Sequence, residues 1–266
     1  MNEPASAGLA VVTGASSGIG EATALALAAR GWSVVLVARS RDRLAGVAAA
    51  MAGGPGRGVV EALDAADGDA VLAMAERVTR EHGIPDLIVN CAGAGRWRFL
   101  EETTPAEAVT MMGAPYFAAF NITHAFMAGM LARRRGLIIH VQSPASISAW
   151  PGATGYTATR WALRGLHGAL AQDLRGTGVR SSQVVFGEVS SQYFNHNPGS
   201  HERLPRISRT VPITSPDRCA EVILRVVRSP RPLVVHPFML RFYRWTHLAA
   251  PWLVRWLLGI TGVKHH

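Results

Sequence analysis

The residues Thr13, Gly14, Ala15, Ser16, Ser17, Gly18, Ile19 and Gly20 follow a short apolar run over 9–12 and open an alanine-rich stretch of helical pattern. A glycine turn between a strand and a helix lets the backbone approach a pyrophosphate. The start of the helix then offers unpaired N–H groups and the positive end of its dipole. The spacing is Gly-x-x-x-Gly-x-Gly rather than Gly-x-Gly-x-x-Gly. A tight turn needing glycine only for its backbone angles would look the same in isolation. A second group lies farther along. Tyr156 and Arg160 are four residues apart, which puts a phenol and a guanidinium on one helix face, and Ser143 precedes them. Metal chemistry is not suggested: Cys91 and Cys219 form no CxxC pair and no disulfide framework, and read as reduced thiols of a cytosolic protein.

Strands are expected over 9–12, 33–38, 59–63, 87–90, 137–142, 179–185 and 233–236. Helices are expected over 19–30, 42–51, 67–81, 105–133, 155–175 and 216–228, with Gly31 ending the first. Strands apolar throughout, alternating with helices, imply a parallel sheet covered on both faces. The fold class is therefore α/β, a doubly wound parallel sheet in three α/β/α layers, with ligands at the carboxyl ends of the strands. No linker interrupts the alternation. One domain over 1–240 is expected, with a polar loop over 187–215, followed by an aromatic, basic helical extension over 241–266.

The chain has 266 residues, 48% hydrophobic and 17% charged, which excludes disorder as a description of the whole. Its net charge is +9, yet the only basic block is Arg133-Arg134-Arg135, and no nucleic-acid motif appears. Much of the excess lies beyond residue 221, where seven Arg and Lys meet no Asp or Glu. The first eight residues show no basic region before an apolar run, so no secretory leader is expected. No apolar run reaches the ~18–20 residues of a membrane span; the nearest, 245–260, is broken by His247, Pro251 and Arg255. A cytoplasmic protein is expected.

Three ordered motifs agree: Thr13–Gly20, then Asn90-Cys91-Ala92-Gly93, then Ser143 with Tyr156. Over roughly residues 9–235 the chain resembles the short-chain dehydrogenase/reductase family. That resemblance implies hydride transfer between a nicotinamide cofactor and a carbonyl or alcohol. It implies that Gly14, Ser16, Ser17, Gly18, Ile19 and Gly20 hold the dinucleotide, with Asn90, Ala92 and Gly93 beside the adenosine half and Asp64 at adenine. Gly187, Val189 and Ser190 or Ser191 would lie at the nicotinamide, although Phe186 stands where the family has Pro. An NAD site carries an acid after the second strand. Here Ala38 is followed by Arg39 and Ser40, with Arg43 one turn on, and the guanidinium fork suits a 2′-phosphate, so NADP(H) is favoured over NAD(H).

In the family a Tyr transfers the proton, a Ser binds the carbonyl oxygen, and a Lys four residues after the Tyr holds the ribose. Tyr156 and Ser143 match; Arg160 replaces the Lys. Pro115, thirteen residues before Ala128, replaces the Asn that kinks the long helix and orders a water through its carbonyl; Asn121 lies on another face. Pro115 keeps that carbonyl and breaks the helix on its own account. Two readings follow: a working oxidoreductase with Arg160 for Lys, or an NADP(H)-binding sensor or scaffold with weakened chemistry. The loop with Tyr193, Phe194, Asn195, His196 and His201 would close over substrate, and Trp97, Phe99 and Trp150 would line a pocket for a hydrophobic one. The tail reads either as a helix packed as a lid or on a partner subunit, or as an interfacial helix at a membrane surface. The resemblance implies a homodimer or homotetramer.

Overall fold

The computed structural model describes residues 7–264; the start of the chain at 1–6 and His265 and His266 lie outside the described residues. Seven strands form one parallel sheet: β1 Gly8–Thr13, β2 Trp32–Ala38, β3 Arg57–Ala62, β4 Leu87–Asn90, β5 Gly136–Gln142, β6 Val179–Phe186 and β7 Leu233–His236. Their order is β3-β2-β1-β4-β5-β6-β7, so the winding reverses between β1 and β4. The helices are α1 Gly18–Ala28, α2 Arg41–Ala50, α3 Gly68–His82, α4 Pro105–Met112, α5 Ala118–Ala132, α6 Thr154–Asp173, α7 Tyr193–His196, α8 Pro216–Arg228, α9 Phe238–Ala249 and α10 Pro251–Thr261.

Why the strands are apolar throughout is visible residue by residue. Ala10, Val12, Val34 and Leu36 face one layer and pack on Leu27 of α1, Leu44 of α2 and Ile223 of α8. Their neighbours Val11, Val35 and Val37 face the other layer, with Met74 of α3 and Ile122 and Phe126 of α5. Each strand residue is thus buried on whichever side it points. Local signals start the helices. Asp67 caps α3 by accepting from the N–H groups of Asp69 and Ala70, both at 3.1 Å. Thr104 and Glu107 form a reciprocal cap at α4.

The helix expected over 105–133 is divided. Residues Gly113–Phe117 form one π-turn, in which the Ala118 N–H donates to the Gly113 carbonyl five residues back. Pro115 sits buried inside it. A proline supplies no N–H to the carbonyl four residues earlier and crowds it, and the extra residue in the turn relieves both. β4, β7 and α8 have the expected ends, and the ends of the other expected strands and helices lie within two residues of expectation.

One buried polar group gives the fold a pH limit. His140 on β5 is fully buried, within 3.3 Å of Asn90 Nδ2, and stands beside His167. Burial first, and the His167 charge second, push its pKa down to about 3. The unfolded chain, titrating near ~6.5, takes the proton first, so stability present above that pH is lost as pH falls toward 3. The expected loss is on the order of 5 kcal/mol for this group. A His140→Asn variant should show a shallower decline of unfolding free energy between pH 6.5 and 3.5, measured by denaturant titration. An unchanged slope would refute the assignment.

Candidate active site

The turn after β1 is shaped by two glycines. Gly14 has φ +66°, and a Cβ there would come within 3.1 Å of the Ala92 backbone. A Cβ at Gly20 would stand 2.3 Å from the Gly14 carbonyl oxygen. The turn therefore presses against both the start of α1 and the segment after β4. Thr13 locks this contact: its Oγ1 accepts from the N–H groups of Cys91 and Ala92, both at 3.1 Å. Ser17 is extended and its side chain does not cap α1, which leaves that helix start open. Ser16, Ser17, Gly18 and Ile19 are half-buried at its mouth.

At the end of β2, Arg39 and Arg43 are exposed, and neither is ion-paired among the described residues. Ser40 precedes α2 with no side-chain cap. Asp64 lies just past β3, and its Oδ1 accepts from the Ala66 N–H at 3.0 Å. Asn90 does not reach the cleft with its side chain. It is buried, donating to Thr123 Oγ1 at 3.3 Å, and so braces β4 against α5. A cradle too tight for a Cβ, an uncapped helix start and two unpaired guanidinium groups suit a phosphorylated dinucleotide.

Tyr156 and Arg160 stand on α6, with the guanidinium carbon 5.0 Å from the phenol ring centroid. Arg160 is buried, 7% exposed, and Nη1 donates to the Val141 carbonyl at 3.3 Å. A Cβ at Gly93 would come within 2.6 Å of Nη2, so the guanidinium lies directly on that glycine. Nε has no partner, and no ion pair joins Arg160 to a carboxylate among the described residues. A buried cation with donors to spare is suited to ribose hydroxyls. Gln142 Nε2 donates to the Arg160 carbonyl at 3.1 Å and fixes that turn of α6. Ser143 closes β5; its Oγ accepts from the Ala145 N–H at 3.3 Å, so its own proton remains to be donated. Asn121 is turned away, donating to the carbonyls of Ala65 and Ala66.

Aromatic rings surround the phenol. Trp97 lies 5.2 Å from Tyr156, 5.3 Å from Trp150 and 5.6 Å from Phe194, between centroids. The loop over 187–215 is tied down over them. Asn197 Oδ1 accepts from Gly95 N–H and Ser200 Oγ from Trp97 N–H, both at 3.0 Å. Trp97 Nε1 donates to the Tyr193 hydroxyl at 3.3 Å, and that hydroxyl donates to the Gly95 carbonyl at 3.2 Å. Burial pushes the Tyr193 phenol well above its ordinary range, and the Tyr156 charge adds to this. Trp97, Trp150, Tyr156, Tyr193 and Phe194, with Ser143, line a largely apolar cavity of about 500 Å³, whose wall also includes Tyr243, His247 and Leu257 of α9 and α10.

Several expectations change here. Phe99 does not line this cavity; it lies under the Arg203 guanidinium, 5.0 Å from ring centroid to carbon. Of the serine pair, Ser191 faces the cavity and abuts Gly18, whereas Ser190 is exposed and bonded through its backbone to Thr214. Gly187 and Val189 do line the cavity. Gln142, Asn197 and Ser200 escaped sequence reasoning. Only the polar character of Gln142 at the end of an apolar strand hinted at a role; the other two sit in a loop rich in such residues.

Residues 8–200 match the family described as short chain dehydrogenase. The chain is 32% identical over 239 residues to a probable oxidoreductase EphD of Mycobacterium bovis, covering 85% of this chain and 40% of that protein. It thus spans well under half the length of that relative. It is 29% identical over 222 residues to the 3-oxoacyl-(acyl-carrier-protein) reductase FabG of Thermotoga maritima, covering 80% of this chain and 87% of the reductase. Among solved structures, a metagenomic short-chain oxidoreductase in complex with NADP superposes with a TM-score of 0.73 at 33% identity, covering 87% of this chain and 97% of that one. The glycine turn, the reversal of strand order beside it and a match over most of the chain lead to one conclusion: this chain belongs to the short-chain dehydrogenase/reductase family.

Proposed function

We propose that the protein is an NADP(H)-dependent oxidoreductase acting on a carbonyl or alcohol of a hydrophobic small molecule. The convergence of Ser143, Tyr156 and Arg160 on one apolar cavity carries this reading. When bound, the nicotinamide supplies or accepts hydride. Ser143 donates its hydroxyl proton as a hydrogen bond to the substrate oxygen, favouring charge there. Tyr156 gives its phenolic proton to that oxygen in reduction and recovers it in oxidation. Arg160, over the Tyr156 ring, holds ribose hydroxyls with its unused donors. The Pro115 turn keeps a carbonyl for an ordered water. The aromatic walls exclude bulk water and select apolar substrates.

Arg39 and Arg43 favour NADP(H), and a relative solved with NADP supports this. Arg39→Ala should weaken NADPH binding by ~1.5–3 kcal/mol and leave NADH nearly unchanged, measured by fluorescence titration. Equal affinities of the unaltered protein for both cofactors would defeat the preference. The activity is tested by nicotinamide absorbance over a panel of hydrophobic and small polar ketones with NADPH. Tight NADPH binding with no turnover on any ketone would favour a sensor or scaffold instead.

No described helix is long and apolar enough to cross a membrane. We assign the protein to the cytoplasm on its two free cysteines, and to a homodimer or homotetramer on family resemblance and the exposed Phe117 and Phe120 at the start of α5.

A further inference from the structure

The two C-terminal helices are apolar on both sides. Their inner faces supply Tyr243, His247 and Leu257 to the cavity wall, and each helix buries one residue, Leu240 or Val254. A helix whose only task was to close the cavity would carry polar residues on its outer face. Here the outer face of α9 presents Phe238 and Trp245, with Phe242 between them at the cavity rim, and that of α10 presents Trp252, Trp256 and Ile260, each between 51% and 70% exposed. These positions recur at helical spacing, so each set forms a stripe. Monomeric proteins seldom leave so many large apolar side chains together in water.

The same face is basic. Arg241 and Arg255 are exposed on it, and Arg241 lies over the Phe238 ring, its guanidinium carbon 4.9 Å from the centroid. No Asp or Glu occurs after Glu221, and neither arginine is ion-paired among the described residues. Charge decides between occupants. A second copy of this chain, paired about a two-fold axis, would bring two acid-free arginine surfaces together. An anionic bilayer offers what is missing: phosphates for the arginines and an apolar boundary for the tryptophans, which favour that depth.

We infer that the outer face of α9 and α10 docks on anionic lipid, with both helices lying in the plane of the headgroups. The cavity wall is then the inner side of a membrane-seated element, and an apolar substrate passes to Tyr156 from the lipid rather than from water. Docking is independent of the chemistry proposed above, and only the delivery of substrate depends on it.

Vesicle sedimentation tests this with the full chain carrying Tyr156→Phe, so that a failure of catalysis cannot be mistaken for a failure of docking. The protein should sediment with vesicles of mixed phosphatidylglycerol and phosphatidylcholine, weakly with phosphatidylcholine alone, and less as salt rises. A Trp245→Ser, Trp252→Ser, Trp256→Ser variant should partition more weakly on the order of a hundredfold. An Arg241→Glu, Arg255→Glu variant should lose on the order of tenfold or more on anionic vesicles only. All these positions are exposed, and unchanged circular dichroism and NADPH binding would show each variant folded. Three results overturn the inference. The first is no sedimentation of the starting protein with anionic vesicles. The second is equal sedimentation of the tryptophan variant. The third is a dimer that the tryptophan variant dissociates, without vesicle binding, which would assign the face to a second copy.

Discussion

Tyr156→Phe should reduce turnover by about a thousandfold or more while NADPH affinity stays within about twofold. The substitution removes one oxygen and its proton and keeps the ring. The ring is what packs: Trp97 at 5.2 Å and the Arg160 guanidinium at 5.0 Å both contact its plane. The cavity shape and the arginine therefore stay in place, and only the acid–base group is lost. Steady-state kinetics with a responsive ketone, beside a cofactor titration, separates the two effects. Tyr193 is the other phenol in this cluster, but its hydroxyl is committed to the Gly95 carbonyl, and burial pushes its pKa well above the ordinary range. Turnover near the starting rate in Tyr156→Phe would place the proton donor elsewhere.

Arg160→Met should separate stability from activity in opposite directions. A guanidinium at 7% exposure without a carboxylate is costly to bury, and a flexible apolar side chain of similar length removes that cost. The cofactor-free protein should gain about 1–3 kcal/mol, read by denaturant unfolding, and turnover should fall by about a hundredfold or more. A large loss of stability would show that the Val141 contact makes this a structural arginine. Arg160→Lys should also lower activity, because an ammonium cannot both reach the Val141 carbonyl and stay over the phenol ring. Pro115→Asn with Arg160→Lys should recover part of that loss, a coupling of ~0.5–3 kcal/mol. If Arg160→Lys alone raised turnover many-fold, the arginine would be a damaging replacement.

Much of the sheet was legible because both its faces are covered. Runs such as Val34-Val35-Leu36-Val37 admit few other placements, and Gly14, Gly18 and Gly20 mark where the first strand turns. The proline in 105–133 announced a break, but a π-turn and a bend share the same residue, and only the neighbouring backbone decides between them. Phe99 and Trp97 are two apart, and loop backbone carries them to different sides, which no periodicity encodes. Ser190 and Ser191 are chemically identical; the bridge between Val189 and Thr214 determines which one reaches the cleft. The tail was ambiguous for a physical reason. Helices apolar on both faces have no single stripe to name the side that packs.

The cavity draws its two sides from different stretches of chain. Ser143, Tyr156 and Arg160 lie within the residues 8–200 shared with the family, whereas Tyr243, His247 and Leu257 lie beyond them. Mutational drift in α9 and α10 can therefore reshape the chamber while the groups proposed to handle the proton remain untouched. Paralogues of this chain can diverge in which molecules they accept long before they diverge in the reaction they perform. Ancestry inferred from the glycine turn and the tyrosine will accordingly group proteins by chemistry, while the final two helices help sort them by diet.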